Sequence, residues 1–387
     1  MMNNRRDNKG TILCLTFNNF PNKDAGSVRL LAIAKALIEA GYEIKVISMG
    51  KDAPDHWQKI EEKLFHMSVR NTNDEKISLL KSYLQFNSFV NKEIGKIKDI
   101  KAVFAFNVMF HVIDNKYLKK LGVPLIYDST EWYNACEFKQ GIFSPEYISN
   151  SIIVNHKIRK PWKVIAISRL LENHYKSRQL VVKRIPAVMD VNAFPSTEYT
   201  PRKIIKVIYA GSPGKKDALH LIIQGFVSLP LSLRNRFCYK IIGVTKEEFV
   251  ENNKLLEIPS NVVFMGKVSR ERVIEELNTA DFTTFMRDSR LRFVNAGFPS
   301  KLAESMSAGV PVITNLTSDL SEYLVNGVDS VIVDGFSSDK YAKALTVVAT
   351  LTPNKIVEMH KAAKTTAKRF FDYSNFINDL EDLIKET

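Results

Sequence analysis

Short apolar runs alternate with longer segments of helical period along almost the whole chain. Residues 11–17 (TILCLTF) predict a buried strand, and the Pro/Gly/Asn-rich stretch 18–27 predicts a loop. Residues 28–41 place Leu30, Leu31, Ile33, Ala34, Leu37 and Ile38 at helical spacing and end in Gly41, a C-cap position. Residues 42–50 predict the next strand. A strand, helix and strand of these lengths form a βαβ unit, which calls for a parallel sheet. Further strands are expected at 102–106, 124–128 and 163–168.

Between 184 and 203 the period is lost, and Pro186, Pro195 and Pro201 with a polar cluster predict a linker. The alternation then restarts. Strands are expected at 206–211, 239–244, 262–268, 282–287, 310–315 and 330–334, and helices at 217–229, 269–280 and 299–309. Two helices, 338–350 and 353–386, close the chain, the second broken near 370–374. The pattern predicts an α/β protein of two halves, each a mostly parallel sheet. Such sheets take ligands beyond the carboxyl ends of their strands, and two halves can bind across a central cleft.

The length, 387 residues, agrees with two domains rather than one. With 45% hydrophobic and 25% charged residues the composition is that of an ordinary globular protein. No apolar run approaches the ~18 residues of a membrane span. The basic start MMNNRRDNKG leads into a strand too short for a signal-peptide core. Cys14, Cys136 and Cys238 are sparse and fit no metal spacing, which points to a reducing, cytoplasmic setting. The net charge of +13 admits three polyanionic partners: nucleic acid, an anionic membrane surface or phosphorylated substrates. Nucleic acid is the least supported, because the basic residues are scattered and no zinc-finger, RRM or basic-zipper pattern occurs.

Two turns in the second half can carry chemistry. In 207-VIYAGSPGKKDALHLI-222, Gly211 and Gly214 sit between a strand and a helix, followed by Lys215 and Lys216. Glycines let backbone N–H groups approach an anion, and a helix start adds partial positive charge. A P-loop is rejected: Tyr209 stands where its first glycine belongs, and Lys216 where Ser or Thr would bind magnesium. A phosphate cradle and an ordinary turn with solvated lysines weigh about equally here. The second turn is 292-RFVNAGFPSKLAESMSAGVPVITN-315. Pro299 suits a first helical position, the N–H groups of Ser300 and Lys301 point out of the helix start, and Glu304 can bind vicinal hydroxyls as a carboxylate binds ribose. Lys301 and Glu304, three apart, share a face, so a surface ion pair is the bland alternative.

The string Pro299, Lys301, Glu304, Gly309, Pro311, Val312, Ile313 resembles the donor-binding motif of GT-B glycosyltransferases of family four. The loop Gly211–Lys216 resembles that family's diphosphate loop, and 185-IPAVMDVNAF-194 its interdomain linker. Residues 20–48 resemble its opening βαβ with a mobile glycine loop around Gly26 and Arg29. The resemblance implies two Rossmann-like domains facing a central cleft: residues 1–190 for the acceptor, 200–368 for the donor, and a terminal helix, 369–387, crossing back to the first. It implies a nucleotide sugar as donor substrate, retention of configuration, no cofactor and no metal, the last in keeping with the lack of a D-x-D motif. Gly211, Lys215, Lys216, Arg290, Pro299, Ser300, Lys301 and Glu304 are the expected donor residues.

The sequence departs from the family's pattern in places. Ala296 stands where relatives often carry a second glutamate, and 128-DSTEWY-133 where a histidine is common. Glu131, with Asp128, is the expected catalytic carboxylate, against the equal alternative of a solvated or capping group. Trp132 and Tyr133 can stack on a sugar, or simply pack. The expected activity is sugar transfer to a glycan or a polyprenyl-diphosphate-linked acceptor, in cell-surface polysaccharide synthesis at the inner face of the membrane. The alternatives are a non-catalytic relative that binds nucleotide or glycan, and a sugar-nucleotide 2-epimerase.

Overall fold

The computed structural model describes residues 8–21, 24–49, 56–69, 76–195, 199–214, 216–253 and 258–385, and the side chains of 76–84 and 252 lie outside that description. The chain divides into two compact units. The first holds Met1–Val188 together with Tyr373–Thr387, and the second holds Met189–Asp372.

The first unit is built on β1 (Thr11–Thr16), β2 (Glu43–Ser48), β3 (Gln58–Glu61), β4 (Leu64–Ser68), β5 (Ile100–Phe106), β6 (Leu125–Ser129), β7 (Trp162–Ala166) and β8 (Val182–Arg184). They form one sheet in the order β3-β4-β2-β1-β5-β6-β7-β8. Every pairing is parallel except β3 with β4. All six residues of β1 are buried, as expected of a central strand covered on both faces. The helix Ala25–Glu39 starts three residues earlier than its apolar period suggests. Asp24 caps it, accepting from Ser27 N at 2.7 Å while Ser27 Oγ accepts from Asp24 N at 3.0 Å. Leu30, Ile33 and Leu37 of this helix share a core with Leu380, Leu383 and Ile384 of the terminal helix Ile377–Lys385. Lys163 of β7 donates to Leu383 O at 2.7 Å, and Lys183 of β8 binds Asp382 at 2.7 Å, so the terminal helix is fixed along the sheet edge.

The second unit carries β9 (Ile205–Ala210), β10 (Phe237–Ile242), β11 (Val262–Gly266), β12 (Phe282–Phe285), β13 (Val312–Asn315) and β14 (Ser330–Val333). The order is β11-β10-β9-β12-β13-β14, all parallel. The order reverses between β9 and β12, which opens a crevice beyond their carboxyl ends. The helix Leu219–Val227 lies against the helix Ser338–Thr350, and Gly225 makes this possible: a Cβ there would meet Ser338 O at 2.5 Å and Ala342 N at 3.2 Å. Beneath the sheet, Tyr341 OH bonds both Tyr239 OH and Thr284 Oγ1 at 2.9 Å, so the buried hydroxyls are satisfied.

The break near 370–374 is present: the helix Pro353–Phe370 is followed by a short 3₁₀ turn, Tyr373–Phe376, before Ile377–Lys385. The pair β3–β4, β8 and the helices Lys76–Ile94, Pro145–Ile152 and Arg169–Lys176 were not legible in the pattern. Gly225→Ala should lower thermal stability. Alanine normally gains about 1 kcal/mol over glycine in a helix, but here the helices must separate, at a cost of about 1–3 kcal/mol. A melting curve showing stabilisation would contradict this packing.

Candidate functional site

At the carboxyl edge of the second sheet three adjacent strands run into glycines of positive φ: Gly211 (+140°) after β9, Gly243 (+108°) after β10 and Gly266 (+63°) ending β11. The backbones approach closely there. Gly211 N donates to Ile242 O at 3.0 Å, and Gly243 N to Gly266 O at 2.7 Å. A side chain at Gly211 would run into the ammonium of Lys301, 2.6 Å from the position of its Cβ.

The loop from Gly211 is pinned by Asp217. Its buried carboxylate accepts from Arg287 Nε at 2.7 Å, from Tyr209 OH at 2.9 Å and from Lys301 Nζ. Lys301 Nζ also lies 3.0 Å from Tyr209 OH and 4.1 Å from the centre of its ring. Arg287 follows β12 and is fixed in turn by Asn315 at the end of β13, with N to Oδ1 at 2.9 Å and Asn315 Nδ2 to Arg287 O at 2.7 Å. Ala218 N donates to Met286 O at 2.8 Å. The ends of β9, β12 and β13 and the helix Ser300–Ser307 are thus joined through one carboxylate. Burial alone would raise the Asp217 pKa, but Lys301 and Arg287 pull it far below the usual carboxylate range.

The helix Ser300–Ser307 begins one residue later than Pro299 suggested. Pro299 is its N-cap, at φ −72° and ψ 103°, and Ser300 is the first helical residue. The other end closes on Gly309 (φ +75°), with Gly309 N to Met306 O and Val310 N to Ser305 O, both 2.9 Å. Leu302 N bonds Pro299 O at 3.0 Å, so the N–H groups of Ser300 and Lys301 precede the first such bond. Lys301 and Glu304 do not pair as neighbours on a helix. Lys301 turns to Asp217, and Glu304 Oε1 accepts from Arg270 Nη1 at 3.0 Å. Arg270 opens the helix Arg270–Leu277 and was not singled out in the sequence; its only mark there is its place just after the Ser269 cap.

The other expected donor residues are placed as follows. Lys216 sits in the turn with Nζ 6.0 Å from the Phe293 ring centre. Lys215 lies outside the described residues. Arg290 is not brought to the cluster: its side chain is 82% exposed and fastened to Asp288 two residues earlier, at 2.8 Å. That local pair satisfies it within its own loop. Ala296 is fully buried at the end of the turn Arg292–Ala296, so packing occupies the place of the absent carboxylate.

In the first unit the expectations for three residues need correction. Asp128 is not a free carboxylate at the strand end. It is buried and bound by Arg29 Nη2 at 2.8 Å and Nε at 2.9 Å. Arg29 is therefore not a loop residue facing an acceptor but a buried helical one, and it also donates to the carbonyls of Ile185, at 3.1 Å, and Pro186. Burial explains both changes, since a guanidinium and a carboxylate survive there only by matching each other. Gly26 lies in the first turn of the helix Ala25–Glu39, packed against the Asn18 side chain, rather than in a loop.

Glu131 follows β6, and its carbonyl accepts from Asn150 Nδ2 at 3.0 Å. Tyr133 N donates to Asn150 Oδ1 at 2.9 Å, and the Tyr133 ring meets Phe138 edge-on at 5.2 Å. Burial and the nearby carboxylates of Glu131, Glu137 and Glu146 raise the Tyr133 hydroxyl pKa. A pocket of about 430 Å³ lies elsewhere, beside Tyr199 and His360 in the second unit. The one beyond the strand ends of the first unit has about 210 Å³ and is lined by Phe17, Asn107, Tyr127, Tyr133, Phe138 and Glu146, among others. Trp132 packs against His174, ring centres 4.4 Å apart and planes tilted by 51°. Among the described residues no three His, Cys, Asp or Glu side chains gather in a metal-binding group.

Comparison with known proteins agrees with this architecture. Residues 194–369 match the family model of glycosyl transferases group 1. No curated protein sequence matches the chain. Among solved structures, sucrose-phosphate synthase from Thermosynechococcus elongatus is 13% identical with a TM-score of 0.74, over 97% of this chain and 98% of that one. Anabaena Alr3699/HepE, solved in complex with UDP-glucose, is 14% identical with a TM-score of 0.68, over 98% of this chain and all of that one (100%). WaaG, a glycosyltransferase involved in lipopolysaccharide biosynthesis, is 15% identical with a TM-score of 0.67, over 97% and 100%. These likenesses show the GT-B fold.

Asp217→Asn leaves two buried or half-buried cations without their counter-charge and should destabilise by about 3–5 kcal/mol. The pH dependence has a fixed sign. A carboxylate whose folded pKa lies below its unfolded value of about 3.9 stabilises fully above that pH and loses the effect as pH falls through the folded pKa. The stability difference between wild type and Asp217→Asn, measured by urea unfolding, should be level from about pH 8 to 5 and shrink below about pH 4. A difference that grows in acid would contradict the ionised Asp217.

Proposed function

We propose, from the match of residues 194–369 to the family model of glycosyl transferases group 1, that the protein moves a sugar from a nucleoside diphosphate sugar to a glycan or lipid-linked acceptor. The observation that carries the reading is the meeting of the Gly211 turn and the Ser300 helix start at the point where strand order reverses, with Lys301 beneath the turn. That is where an anion finds backbone N–H groups and positive charge together.

In this reading the diphosphate lies over Gly211 and the Ser300 helix start. The N–H groups of Ser300 and Lys301, with Lys216, offset the charge that grows on the phosphate as the bond to the sugar breaks. Glu304 accepts the ribose hydroxyls, while Arg270 holds one of its oxygens and fixes the carboxylate's orientation. The acceptor hydroxyl forms the new bond to the anomeric carbon, and its proton passes to the leaving phosphate or to Glu131. Asp128 takes no proton in this scheme, because Arg29 holds it. We propose retention of configuration and no metal requirement. The acceptor's first sugar fits the pocket at Tyr127, Tyr133 and Glu146. The place of action is the cytoplasmic face of a membrane, in cell-surface polysaccharide synthesis. That a protein of the same fold is solved with UDP-glucose supports the donor class and makes UDP the first nucleotide to try.

A second reading has one observation in its favour. Ala296, buried and apolar, offers no group to the donor sugar. A nucleotide-binding relative without turnover would share every donor contact named above.

Calorimetric titration with UDP, GDP, ADP and dTDP should show binding of one of them. Glu304→Ala should weaken it by roughly ten- to a hundredfold, the loss expected for hydrogen bonds to a charged group. Binding to none at millimolar concentration would overturn the donor site. Chelation with EDTA should leave the transfer rate unchanged within about twofold, whereas magnesium ions closing a diphosphate site would make it fall by orders of magnitude. Nucleotide binding without turnover of any sugar donor would select the second reading.

A further inference from the structure

Four aromatic rings, Phe17, Tyr127, Tyr133 and Phe138, wall the pocket of the first unit. At about 210 Å³ it falls below the ~300 Å³ at which pockets for drug-sized ligands begin, so it suits one ring rather than a chain. Tyr133 and Phe138 stand with their planes 81° apart and so present two different walls. One polar group is unspent. Tyr127 is only 4% exposed, and its hydroxyl has no hydrogen-bond partner among the described residues. A buried tyrosine hydroxyl normally finds one, so this one is left for whatever fills the pocket. The neighbouring polar groups are engaged with backbone: Asn150 with Glu131 O and Tyr133 N, and Ser149 Oγ with Phe110 N at 3.0 Å.

The charge here runs against the rest of the chain. The protein carries +13, yet among the described residues no Lys, Arg or His lines this pocket, and the charged side chain that does is Glu146. Ser144 Oγ donates to Glu146 Oε2 at 2.6 Å, which fixes the carboxylate without neutralising it. After burial, the carboxylates of Glu131, Glu137 and Glu146 raise the Tyr133 hydroxyl. For Tyr127 burial again acts first, then the hydroxyls of Tyr175 and Tyr133 and the carboxylates of Asp128 and Glu131. The charges felt by both hydroxyls are negative. An anion entering the pocket loses water and meets carboxylates and ring faces, with no cation to replace what it lost. A ring with hydroxyls meets an unspent hydroxyl and a carboxylate acceptor. An ammonium on that ring gains further, from Glu146 and from the aromatic faces.

We propose that this pocket chooses the accepting sugar by charge: it takes a ring that carries no acid group, best one bearing an amine, with Tyr127 and Glu146 as the selecting residues. A uronic acid or a ring phosphate is refused, although the protein as a whole attracts anions. The inference rests on the transferase reading for calling this sugar the acceptor; the preference itself follows from the pocket alone.

The test is ligand-observed NMR titration of the full chain with methyl glycosides that differ in charge: the hexoside, the aminohexoside and the hexuronide, each in gluco, galacto and manno forms. In at least one of these series the amine should bind tightest, and the uronide about tenfold or more below it. Added salt should narrow that spread in the wild type. Glu146→Gln should bring the amine and the uronide within about twofold of each other. Tyr127→Phe should weaken all three alike by about two- to tenfold, the loss of one hydrogen bond. Both variants should keep the wild-type melting temperature. A uronide that binds as tightly as the amine, an order that neither salt nor Glu146→Gln changes, or no binding of any glycoside at tens of millimolar would overturn the proposal. Nucleotide titration of the same samples separates the two readings: if no nucleotide binds while the amine still outranks the uronide, the transferase reading falls and the pocket's preference stands.

Discussion

The second unit's ligand edge depends on one buried negative charge. Asp217 is the group on which the Gly211 turn, the end of β12 and the Ser300 helix agree. A carboxylate there would be prohibitive alone, and so would either cation. Together they are tolerable, with one positive charge in excess. In the function proposed above, an anion over Gly211 would complete the balance, so the same charges that hold the strand ends together would also favour a phosphate.

Much of this fold was legible because parallel α/β sheets write themselves plainly. The central strand β1 carries a continuous apolar run from Ile12 to Leu15, and the helix that follows it keeps a clear period. What stayed hidden was of two kinds. The β3–β4 pair mixes polar and apolar residues because β3 is largely exposed, which removes the alternation a strand would show. The site's partnerships were hidden because they join residues far apart in sequence: Lys301 with Asp217, 84 positions away, and Glu304 with Arg270, 34 away. Spacing along the helix correctly suggested that Lys301 and Glu304 share a neighbourhood, but only tertiary packing decides whom each one binds. An acid directly after two lysines was the available sign for Asp217, and it carries little weight without knowing that Arg287 and Tyr209 converge there.

The first unit teaches the complementary lesson. Residues 125–129 are all buried, so β6 has no solvated face on which Asp128 could wait as a base. Arg29 was read as part of the loop around Gly26 that the resemblance implied, whereas the helix already begins at Ala25 and buries it. The pair binds the start of the helix Ala25–Glu39, the end of β6 and the carbonyls at 185–186 into one joint. Two residues that looked like chemistry are framework, and the pocket beyond the strand ends is lined instead by Tyr133, which the sequence had offered for stacking, and by Phe138 and Glu146, which it had not.

The first unit is also discontinuous. Its core takes Leu380, Leu383 and Ile384 from the far end of the chain. A ribosome makes residues 1–188 first and has to finish the whole second unit before it can deliver that last wall. During synthesis the helix Ala25–Glu39 and the edge at β7 and β8 therefore stand open, with Leu37 and Lys163 lacking their partners. The half that is begun first is the half that is completed last.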